Sequence, residues 1–266
     1  MLSYTDKLAH AAARAIVRQD MNSRIPLPTA ASCLFLDVDG TLIEFSSTPT
    51  LAAAPPALKE CLNEVSAALG GALALVSGRR VADLDTIFFP LRLPCAGVHG
   101  GERRERPDLL APQSPSDARL DAVRERMREF SVMHPGIVIE DKAISYVVHY
   151  KRNTAARLEL EHALQPLLAA LGPEFHAMRG HMSIEIKPRR FSKAAAIEAF
   201  LLTPPFKDRA PIFIGDDVTD MDGFRTIEAR NGISIAVGDR VHAQWWLPDP
   251  AAARQWLSDF AATYSP

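Results

Sequence analysis

Cysteine is scarce in this sequence, and so are long apolar stretches. The 266 residues include three cysteines, Cys33, Cys61 and Cys95, whose odd number and spacing fit neither a zinc site nor a disulfide framework. Each lies among apolar neighbours, which favours free thiols and a cytoplasmic protein. No apolar run approaches the ~20 residues of a membrane-spanning helix, and the N-terminal segment lacks the apolar core of a signal peptide. The sequence therefore predicts a soluble protein without a membrane partner.

A surplus of either charge is also missing. The 30 basic and 32 acidic side chains leave a formal charge of -2, which offers no long-range attraction to nucleic acid. An anionic ligand would therefore have to be held by local geometry. With 47% hydrophobic residues, the chain is long enough to bury the core of one large domain or two smaller ones.

Short aliphatic runs that end in glycine or a small polar residue recur along the chain. Residues 1–30, which precede them, predict a short amphipathic helix and a proline-containing linker. Helical spacing of apolar residues follows the first run, from Pro55 to Leu69, and returns after Lys193. Strands that alternate with helices in this way predict a parallel sheet. The runs are CLFLDVDG, GALALVSGRR, PIFIGDDVTD, GISIAVGD and, more weakly, CAGVHGGE.

The segment at 107–189 has a different pattern. Its candidate strands GIVIED, SYVVHYK and MSIEIKP alternate polar and apolar residues, as in an antiparallel sheet with one face in solvent. Helical segments at 117–131 and 154–171 would cover the other face. We therefore predict an α/β fold in which a doubly wound, Rossmann-like core, formed by residues 31–106 and 190–266, is interrupted by an inserted α+β module.

Polar side chains follow the ends of several predicted strands. Asp37 and Asp39 follow the first strand, Ser77 the second, and Asp216 and Asp217 a later one. In open α/β sheets ligands bind outside the carboxyl ends of the strands. One aspartate at such a place is as readily a loop cap, but several strand ends together favour a ligand site.

Crowded carboxylates also predict a cofactor. They repel one another and raise one another's pKa unless a cation neutralises them. Oxygen ligands without histidine or cysteine favour Mg2+, which prefers to share its coordination shell with a phosphate. Groups suited to phosphate oxygens are Gly40, Thr41, Ser77, Gly78 and Lys193. Ser77 by itself is more simply explained as the N-cap of a helix, and the two roles are compatible.

Four short motifs, taken in order, resemble those of the haloacid dehalogenase-like phosphohydrolases. They are DVDGT at residues 37–41, the strand end at Ser77, Lys193, and GDDVTD at residues 215–220. Over most of residues 33–240 the chain is similar to the bacterial trehalose-6-phosphate phosphatases, through ALALVSGRR, LPCAGVHGGERR, IEIKPRRFSKAAAIEAFL and PIFIGDDVTDMDGF. The resemblance implies a haloacid dehalogenase-like core and a C2-type cap formed by the inserted module.

The chain departs from that family at three positions. Arg190 and Ala194 stand where the family usually has glycine, and Met221 stands where it usually has glutamate. None of them is an expected catalytic group. They concern the hinge and the sugar end of the site, so they bear on sugar specificity.

The resemblance and the local chemistry assign the same roles to the core residues. Asp37 would attack phosphorus and form an aspartyl-phosphate. In an extended chain residues i and i+2 point the same way, so Asp39 would protonate the leaving oxygen and later deprotonate water. Thr41, Ser77 and Lys193 would hold the phosphoryl oxygens.

The same resemblance implies a Mg2+ site. Asp37 and Asp216 would supply carboxylates to the ion, and Asp39 its backbone carbonyl. Asp217 and Asp220 would orient waters or the lysine of the site.

The inserted module would act as a cap that excludes water and reads the part of the substrate that is not phosphate. Its charged candidates are Glu140, Lys142, Glu185 and Lys187. Alternating glutamate and lysine is by pattern alone typical of a solvated face, whereas the resemblance implies contacts to sugar hydroxyls.

Three residues outside the module are also candidates for the substrate end of the site: Gly78, Arg79 and His99. By pattern alone His99 is a strand-end histidine and Arg79 a solvated charge. His149, on an alternating strand, is most simply a packed residue of the module.

Together these features predict a Mg2+-dependent phosphatase that converts trehalose 6-phosphate to trehalose and phosphate, the last step of trehalose biosynthesis. A related enzyme for another sugar phosphate is the first alternative. A receiver-type phospho-acceptor module is the second, but Asp39 and the inserted module argue against it. An inert binding protein is disfavoured because no motif residue is missing. The expected partner is a small sugar phosphate, and a monomer is compatible with the sequence.

Overall fold

The computed structural model describes residues 24–44, 53–109, 116–180 and 182–264, which fold into β-strands and α-helices. The helix predicted near the N-terminus lies outside these residues. The strands are β1 (Ser32–Leu36), β2 (Leu73–Val76), β3 (Cys95–Gly97), β4 (Glu102–Arg104), β5 (Val138–Asp141), β6 (Tyr146–His149), β7 (Phe175–Gly180), β8 (Ser183–Pro188), β9 (Ala210–Gly215), β10 (Ile233–Val237) and β11 (Trp245–Leu247). The α-helices are α1 (Pro56–Ala68), α2 (Val81–Phe88), α3 (Asp121–Met133), α4 (Arg157–Leu171), α5 (Lys193–Leu201), α6 (Met221–Glu228) and α7 (Pro250–Ala262).

β1 lies in the middle of a seven-stranded sheet with the order β11-β10-β9-β1-β2-β3-β4. All neighbouring pairs are parallel except β3 and β4. Leu34 of β1 is in register with Leu73 of β2 on one side and with Ile212 of β9 on the other. β1 and β2 are buried along their whole length, as expected for a parallel sheet with both faces covered.

Helices cover both faces of this sheet. α1 packs against α7, and α5 packs against α6. The connection from β1 to β2 leads toward one edge of the sheet, and the connection from β9 to β10 leads toward the other edge. Right-handed crossovers that run in opposite directions place their helices on opposite faces of the sheet. The doubly wound α/β core predicted from the sequence is confirmed. Among the helices that the structure describes, none is both long and apolar enough to cross a membrane.

The core beneath β1 is aromatic. The ring of Phe35 on β1 lies 5.5 Å from that of Phe206, which lies 4.9 Å from that of Phe200 on α5. All three side chains are fully buried. These rings pack β1 against α5. The residues that follow β1 therefore extend from a strand whose position is fixed by packing.

Between β4 and α5 the chain forms a second, antiparallel sheet with the order β5-β6-β8-β7. We call residues 116–188 the insert. Helices α3 and α4 pack on one face of its sheet around a separate buried cluster that includes Phe130, Tyr146 and Ile186.

The insert returns to the larger sheet by a short connection. Residues 189–192 alone join β8 to α5. The domain boundaries placed at 107 and 189 by the sequence stay predictions.

The insert has one more strand than the sequence predicted. The fourth strand is β7, which pairs with β8 from Phe175 opposite Pro188 to Gly180 opposite Ser183. Its sequence, FHAMRG, contains residues with little preference for strands, and the pairing with β8 outweighs that weak preference. The short strands β4 and β11 in the larger sheet were likewise not predicted.

The second face of the insert sheet is covered on β6 and β8, so the prediction that it lies in solvent is wrong there, whereas Val138 on β5 is 47% exposed. On β8, Ile184 and Ile186 face the insert's own core, while Glu185 and Lys187 are only 6% and 4% exposed. Glu185 contacts His99, which follows β3 of the larger sheet. The insert therefore lies closed over the carboxyl ends of the core strands.

Candidate active site

The first candidate residues lie at the end of β1. The Asp37 backbone continues the strand, because its N–H donates to the Ile214 carbonyl at 2.9 Å. Gly40 then turns the chain with a φ of 81°, a conformation that favours glycine. The turn brings the Thr41 hydroxyl to 3.2 Å from the Asp37 carboxylate and 3.3 Å from the Asp216 carboxylate. Asp37 is 4% exposed, so this contact lies inside the protein.

Three aspartates in different environments follow β9. Asp220 accepts hydrogen bonds from the backbone N–H groups of Asp216 and Asp217, at 3.1 and 3.0 Å. A side chain at Gly215 would place a Cβ 2.4 Å from the Asp220 Cγ, so this position requires glycine. Asp217 caps the same turn, since its carboxylate accepts the Val218 N–H at 2.7 Å.

Lys193 is the first residue of α5, and the hydroxyl of the preceding N-cap, Ser192, accepts the Ala195 N–H at 3.1 Å. The Lys193 Nζ lies 2.6 Å from a carboxylate oxygen of Asp37 and 2.6 Å from one of Asp220. Burial lowers the pKa of this ammonium, but the two carboxylates outweigh burial and raise the pKa above its usual value. Lys193 is therefore charged and links the end of β1 to the end of β9.

The three buried aspartates around this lysine form a group suited to a cation. Asp37, Asp216 and Asp220 each offer an oxygen within 4.8 Å of the other two. Burial and the nearby Asp37 charge raise the pKa of Asp216, the expected result of crowding carboxylates. Asp220 already uses both oxygens on Lys193 and two backbone N–H groups. Asp37 and Asp216 accept fewer hydrogen bonds than Asp220, and a hard, oxygen-binding ion such as Mg2+ fits their carboxylates.

Asp39 has a separate partner. Nε and Nη2 of Arg79 donate to its two carboxylate oxygens, both at 2.6 Å. Asp37 and Asp39 therefore differ in their cations: an ammonium from α5 for the first and a guanidinium from the loop after β2 for the second.

Ser77 follows β2 and is 1% exposed. Its hydroxyl accepts the Arg79 N–H at 3.2 Å. It does not cap a helix, because α2 begins only at Val81, whose N–H donates to the Glu102 carboxylate at 2.8 Å. The N-cap interpretation of Ser77 is therefore wrong: a glutamate from β4 serves the helix terminus instead.

The polar face of the insert contacts the core at two points. Lys142 donates to the Gly78 carbonyl at 2.8 Å. One oxygen of Glu185 accepts the Ser145 hydroxyl at 2.7 Å, and the other lies 3.2 Å from His99 Nε2. Burial raises the pKa of Glu185, but Lys142 and His99 outweigh burial and lower the pKa.

His99 is buried in a left-handed backbone conformation, with a φ of 54°. Burial lowers its pKa to about 4, so the ring is neutral near pH 7. The Glu185 contact assigns the proton to Nε2, which donates. Its Nδ1 has no hydrogen-bond partner among the described residues. A Cβ at Gly78 would lie 2.8 Å from Nε2, so glycine at position 78 makes room for the ring.

Glu140 and Lys187 complete the polar face. The Glu140 carboxylate lies 3.1 Å from His149 Nε2 and 3.8 Å from Lys142 Nζ. Lys187 donates to the Phe191 carbonyl at 3.0 Å, and burial lowers its pKa to about 8. His149 is thus a polar partner of Glu140 as well as a packed residue of the insert.

The predicted residues fall into two contact networks. The first joins Asp37, Thr41, Lys193, Asp216 and Asp220. The second joins Gly78, His99, Glu140, Lys142 and Glu185. Asp217 is tied to the first network through Asp220, and Ser77 to the second because its carbonyl accepts the His99 N–H at 3.0 Å. Arg79 links Ser77 to Asp39, and Lys187 donates to the Phe191 carbonyl.

Ser145 and Arg240, which the sequence did not single out, also contact these residues, whereas Glu102 contacts Val81 at the start of α2. Arg240 lies 3.6 Å from the Asp216 carboxylate, beside an open cleft of about 210 Å³. Arg240 could have been proposed from the sequence, because it follows the end of a strand, as the aspartates do. Glu102 and Ser145 carry no such signal.

Solved structures share this fold. The C-terminal domain of the C. albicans trehalose-6-phosphate phosphatase has a TM-score of 0.77 at 20% identity, with 88% of this chain and 93% of that chain covered. A trehalose-6-phosphate phosphatase related protein has a TM-score of 0.73 at 23% identity, with 87% and 97% covered. Aspartates after β1 and β9 that are joined by the lysine of α5 are the arrangement expected of the haloacid dehalogenase-like phosphohydrolases, which the four sequence motifs resemble.

Sequence comparison then identifies the family. The trehalose-phosphatase family model matches residues 35–246. A probable trehalose-phosphate phosphatase from Sinorhizobium fredii (strain NBRC 101917 / NGR234) is 39% identical over 232 residues, and the trehalose-6-phosphate phosphatase of Escherichia coli (strain K12) is 34% identical over 236 residues. Each alignment covers 87% of both chains. The chain belongs to the trehalose-phosphatase family and is a phosphatase, so the predicted resemblance is confirmed.

Proposed function

We propose that this protein hydrolyses trehalose 6-phosphate to trehalose and phosphate, with Mg2+, through an aspartyl-phosphate on Asp37. The environment of Asp37 carries the proposal: its buried carboxylate ends a central strand and lies 2.6 Å from the Lys193 ammonium. A carboxylate fixed beside a cation is suited to attack an anionic phosphoryl group. The names of the two relatives above support trehalose phosphate as the substrate.

In the first half-reaction a carboxylate oxygen of Asp37 attacks phosphorus. The bond between phosphorus and the sugar oxygen breaks, and Asp39 gives that oxygen its proton. Thr41, Ser77 and Lys193 hold the phosphoryl oxygens, because positioning and charge stabilisation dominate phosphoryl transfer. Trehalose leaves as a neutral alcohol.

In the second half-reaction water attacks the phosphorus of the aspartyl-phosphate. The bond between phosphorus and the Asp37 oxygen breaks, and its electron pair returns to the carboxylate. Asp39 takes the proton of the attacking water. Asp39 is then protonated and can act as the acid of the next turnover.

The carboxylates of Asp37 and Asp216 and the backbone carbonyl of Asp39 would hold Mg2+. Bound there, the ion offsets the repulsion between a carboxylate and a phosphate dianion. Asp220 fixes Lys193 rather than the ion, because its carboxylate accepts three hydrogen bonds, from Lys193 and from the N–H groups of Asp216 and Asp217. Asp217 fixes the turn that carries the other aspartates after β9.

The insert serves as the cap. The candidates for sugar contact are Glu140, Lys142, Glu185 and Lys187 on the insert and Gly78, Arg79 and His99 on the core. In the closed arrangement Lys142 contacts Gly78, and Glu185 contacts His99. Substrate entry therefore requires the insert to open and break both contacts.

We place the enzyme in the cytoplasm, with a small sugar phosphate as its partner. Cys33 and Cys95 are free, and burial raises the pKa of each thiol to about 12. Such thiols are inert, as suits a protein of a reducing compartment.

Phosphate release from a panel of sugar phosphates, with Mg2+ and with EDTA, tests the proposal. We expect the fastest release from trehalose 6-phosphate and none with EDTA. The departures at Arg190 and Ala194 motivate the second candidate, a phosphatase for another sugar phosphate. That candidate replaces the first if sucrose or glucose phosphates are hydrolysed as fast, and a phosphoenzyme that lasts minutes would favour the receiver-type module.

Asp37→Asn tests the nucleophile, because the amide has the same shape but does not attack phosphorus. We expect phosphate release below about 1% of wild type, with an unchanged circular dichroism spectrum. Asp222→Asn, at an exposed position on α6, is the control and should retain wild-type activity. Higher residual turnover by Asp37→Asn would assign the attack to another group.

A further inference from the structure

Asp39 and Arg79 form a two-point ion pair between the loops that follow β1 and β2. Nε and Nη2 of Arg79 each donate to a different oxygen of Asp39, both at 2.6 Å. The Arg79 side chain is 14% exposed and the Asp39 side chain 25%, so water competes only in part. A guanidinium fork that meets both oxygens fixes the plane of the carboxylate as well as its distance.

The backbone from which Arg79 extends is itself held. The Arg79 N–H donates to the Ser77 hydroxyl at 3.2 Å, and its carbonyl accepts the Val98 N–H at 2.8 Å. Lys142 of the insert donates to the carbonyl of the neighbouring Gly78 at 2.8 Å. Strand β3 and the insert thus both stabilise the loop that carries the arginine.

Acidic residues of both the core and the insert attract the Arg79 side chain. Asp39 lies against its guanidinium, and Asp83 and Glu140 add their negative charge nearby. Glu140 belongs to the insert. The closed insert therefore adds negative charge to the surroundings of Arg79.

We propose that Arg79 is a positioning residue for Asp39, and that its fork fixes the carboxylate for both proton transfers. The inference rests on the proposed function, in which Asp39 is the acid and then the base. An aspartate without such a partner has several staggered rotamers, and proton transfer requires hydrogen-bond distance to the reacting oxygen. Arg79 therefore acts through Asp39, whereas the sequence placed it among the residues that contact substrate.

4-Nitrophenyl phosphate separates the two proton transfers, because 4-nitrophenolate leaves without a proton. In Arg79→Ala and Arg79→Lys we expect a burst of about one nitrophenolate per active site, then steady turnover about 100-fold below wild type. KM should fall rather than rise, because slow hydrolysis of the phosphoenzyme then limits turnover. Lysine retains the charge but not the fork, so both variants should behave alike.

The Asp39→Asn background tests whether the arginine acts through Asp39. Arg79→Ala combined with Asp39→Asn should be no slower than Asp39→Asn alone. The proposal is overturned if Arg79→Ala lowers the rate by the same factor in both backgrounds. It is also overturned if KM rises while kcat is unchanged, the result expected of a substrate ligand.

Arg103→Ala is the matched control, since this arginine on β4 is partly exposed and pairs with Glu105. It should show wild-type kinetics. Circular dichroism establishes folding, and Arg79→Lys decides the question if Arg79→Ala does not fold. A wild-type protein inactive on trehalose 6-phosphate would contradict the proposed function, while the nitrophenyl phosphate kinetics would still report on Arg79.

Discussion

Lys193 contacts two carboxylates that belong to different strands, Asp37 after β1 and Asp220 after β9. All three groups are buried. Removing one partner of a buried ion pair leaves a charge without compensation, which destabilises a protein more than the intact pair stabilises it. At the scale of single residues, the lysine therefore supports the fold as well as the chemistry.

Lys193→Met should lower the free energy of unfolding by about 3–5 kcal/mol and abolish phosphate release. Urea unfolding in EDTA measures the first effect without interference from a bound ion. Lys207→Met, at an exposed position, is the control and should unfold like wild type. Equal stability of Lys193→Met and wild type would show that other groups compensate the two aspartates.

His99 makes the protein less stable in acid. Its pKa is about 4, because burial opposes the charged ring; Glu185 favours that charge, whereas Lys187 and Lys142 oppose it. As pH falls below the usual value near 6.5, the unfolded chain binds the proton first. The contribution of the neutral ring is thus complete above that pH and is lost progressively toward pH 4.

Stability should therefore fall by roughly 2 kcal/mol between pH 7 and pH 5 through this one residue. Urea unfolding at the two pH values measures the loss, and His99→Gln should show less of it. A nuclear magnetic resonance titration of the ring tests the cause directly. A midpoint near 6.5 would contradict the expectation.

Strand ends were visible in the sequence because a buried aliphatic run that stops at a polar residue is a local signal. Asp37, Asp39 and Asp216 could be placed at one edge of the sheet by that signal alone. Contacts between side chains of distant segments produce no local pattern in the sequence. Glu102 caps a helix that begins 21 residues earlier in the chain, and Ser145 meets Glu185 across 40 residues.

Among the elements, the two sheets have separate hydrophobic clusters. Phe206 lies in the cluster of the larger sheet and Phe130 in that of the insert. Because no buried apolar residue of the described chain belongs to both clusters, each sheet can loosen without the other.

Phe206→Ala and Phe130→Ala are matched variants that test whether the two sheets loosen independently. Each truncation should cost about 3–5 kcal/mol in its own cluster. Hydrogen exchange should rise in β5 to β8 for Phe130→Ala and in β1 and β9 for Phe206→Ala. Faster exchange in both sheets for either variant would mean that the protein unfolds as one unit.

Continuous aliphatic runs identified the central strands of the core, whereas the insert shows the limits of a periodic pattern. Alternation on β8 was correct, but by pattern alone it favoured solvent as the surroundings of Glu185 and Lys187. A polar residue that faces water and one that faces another polar surface give the same pattern. Which surface covers a strand is a property of the tertiary structure.

For the whole molecule, closure depends on close contact between the insert and the core. A Cβ at Gly101 would lie 2.0 Å from the Cδ1 of Ile144, which is 5% exposed. The φ of Gly101 is -73°, so alanine suits its backbone. The insert is therefore the main obstacle to a side chain at this position.

Gly101→Ala should push the insert away from the core, raise KM for trehalose 6-phosphate and increase the radius of gyration in small-angle scattering. Gly101→Ala combined with Ile144→Ala should restore both values, since the shorter side chain frees the space. Wild-type KM and radius for Gly101→Ala would mean that Ile144 turns aside without moving the insert.

Residues 189–192 are the whole connection between β8, which carries Glu185, and α5, which begins with Lys193. Deleting one residue there would displace Lys193 by up to about 3 Å, more than enough to break its 2.6 Å contacts. In a chimera, the strand that carries Glu185 and the helix that begins with Lys193 would therefore have to be transferred together, as one segment from β8 through α5. The same constraint applies to the evolution of a new sugar preference. Substitutions within this stretch are compatible with the Lys193 contacts, whereas insertions and deletions are not.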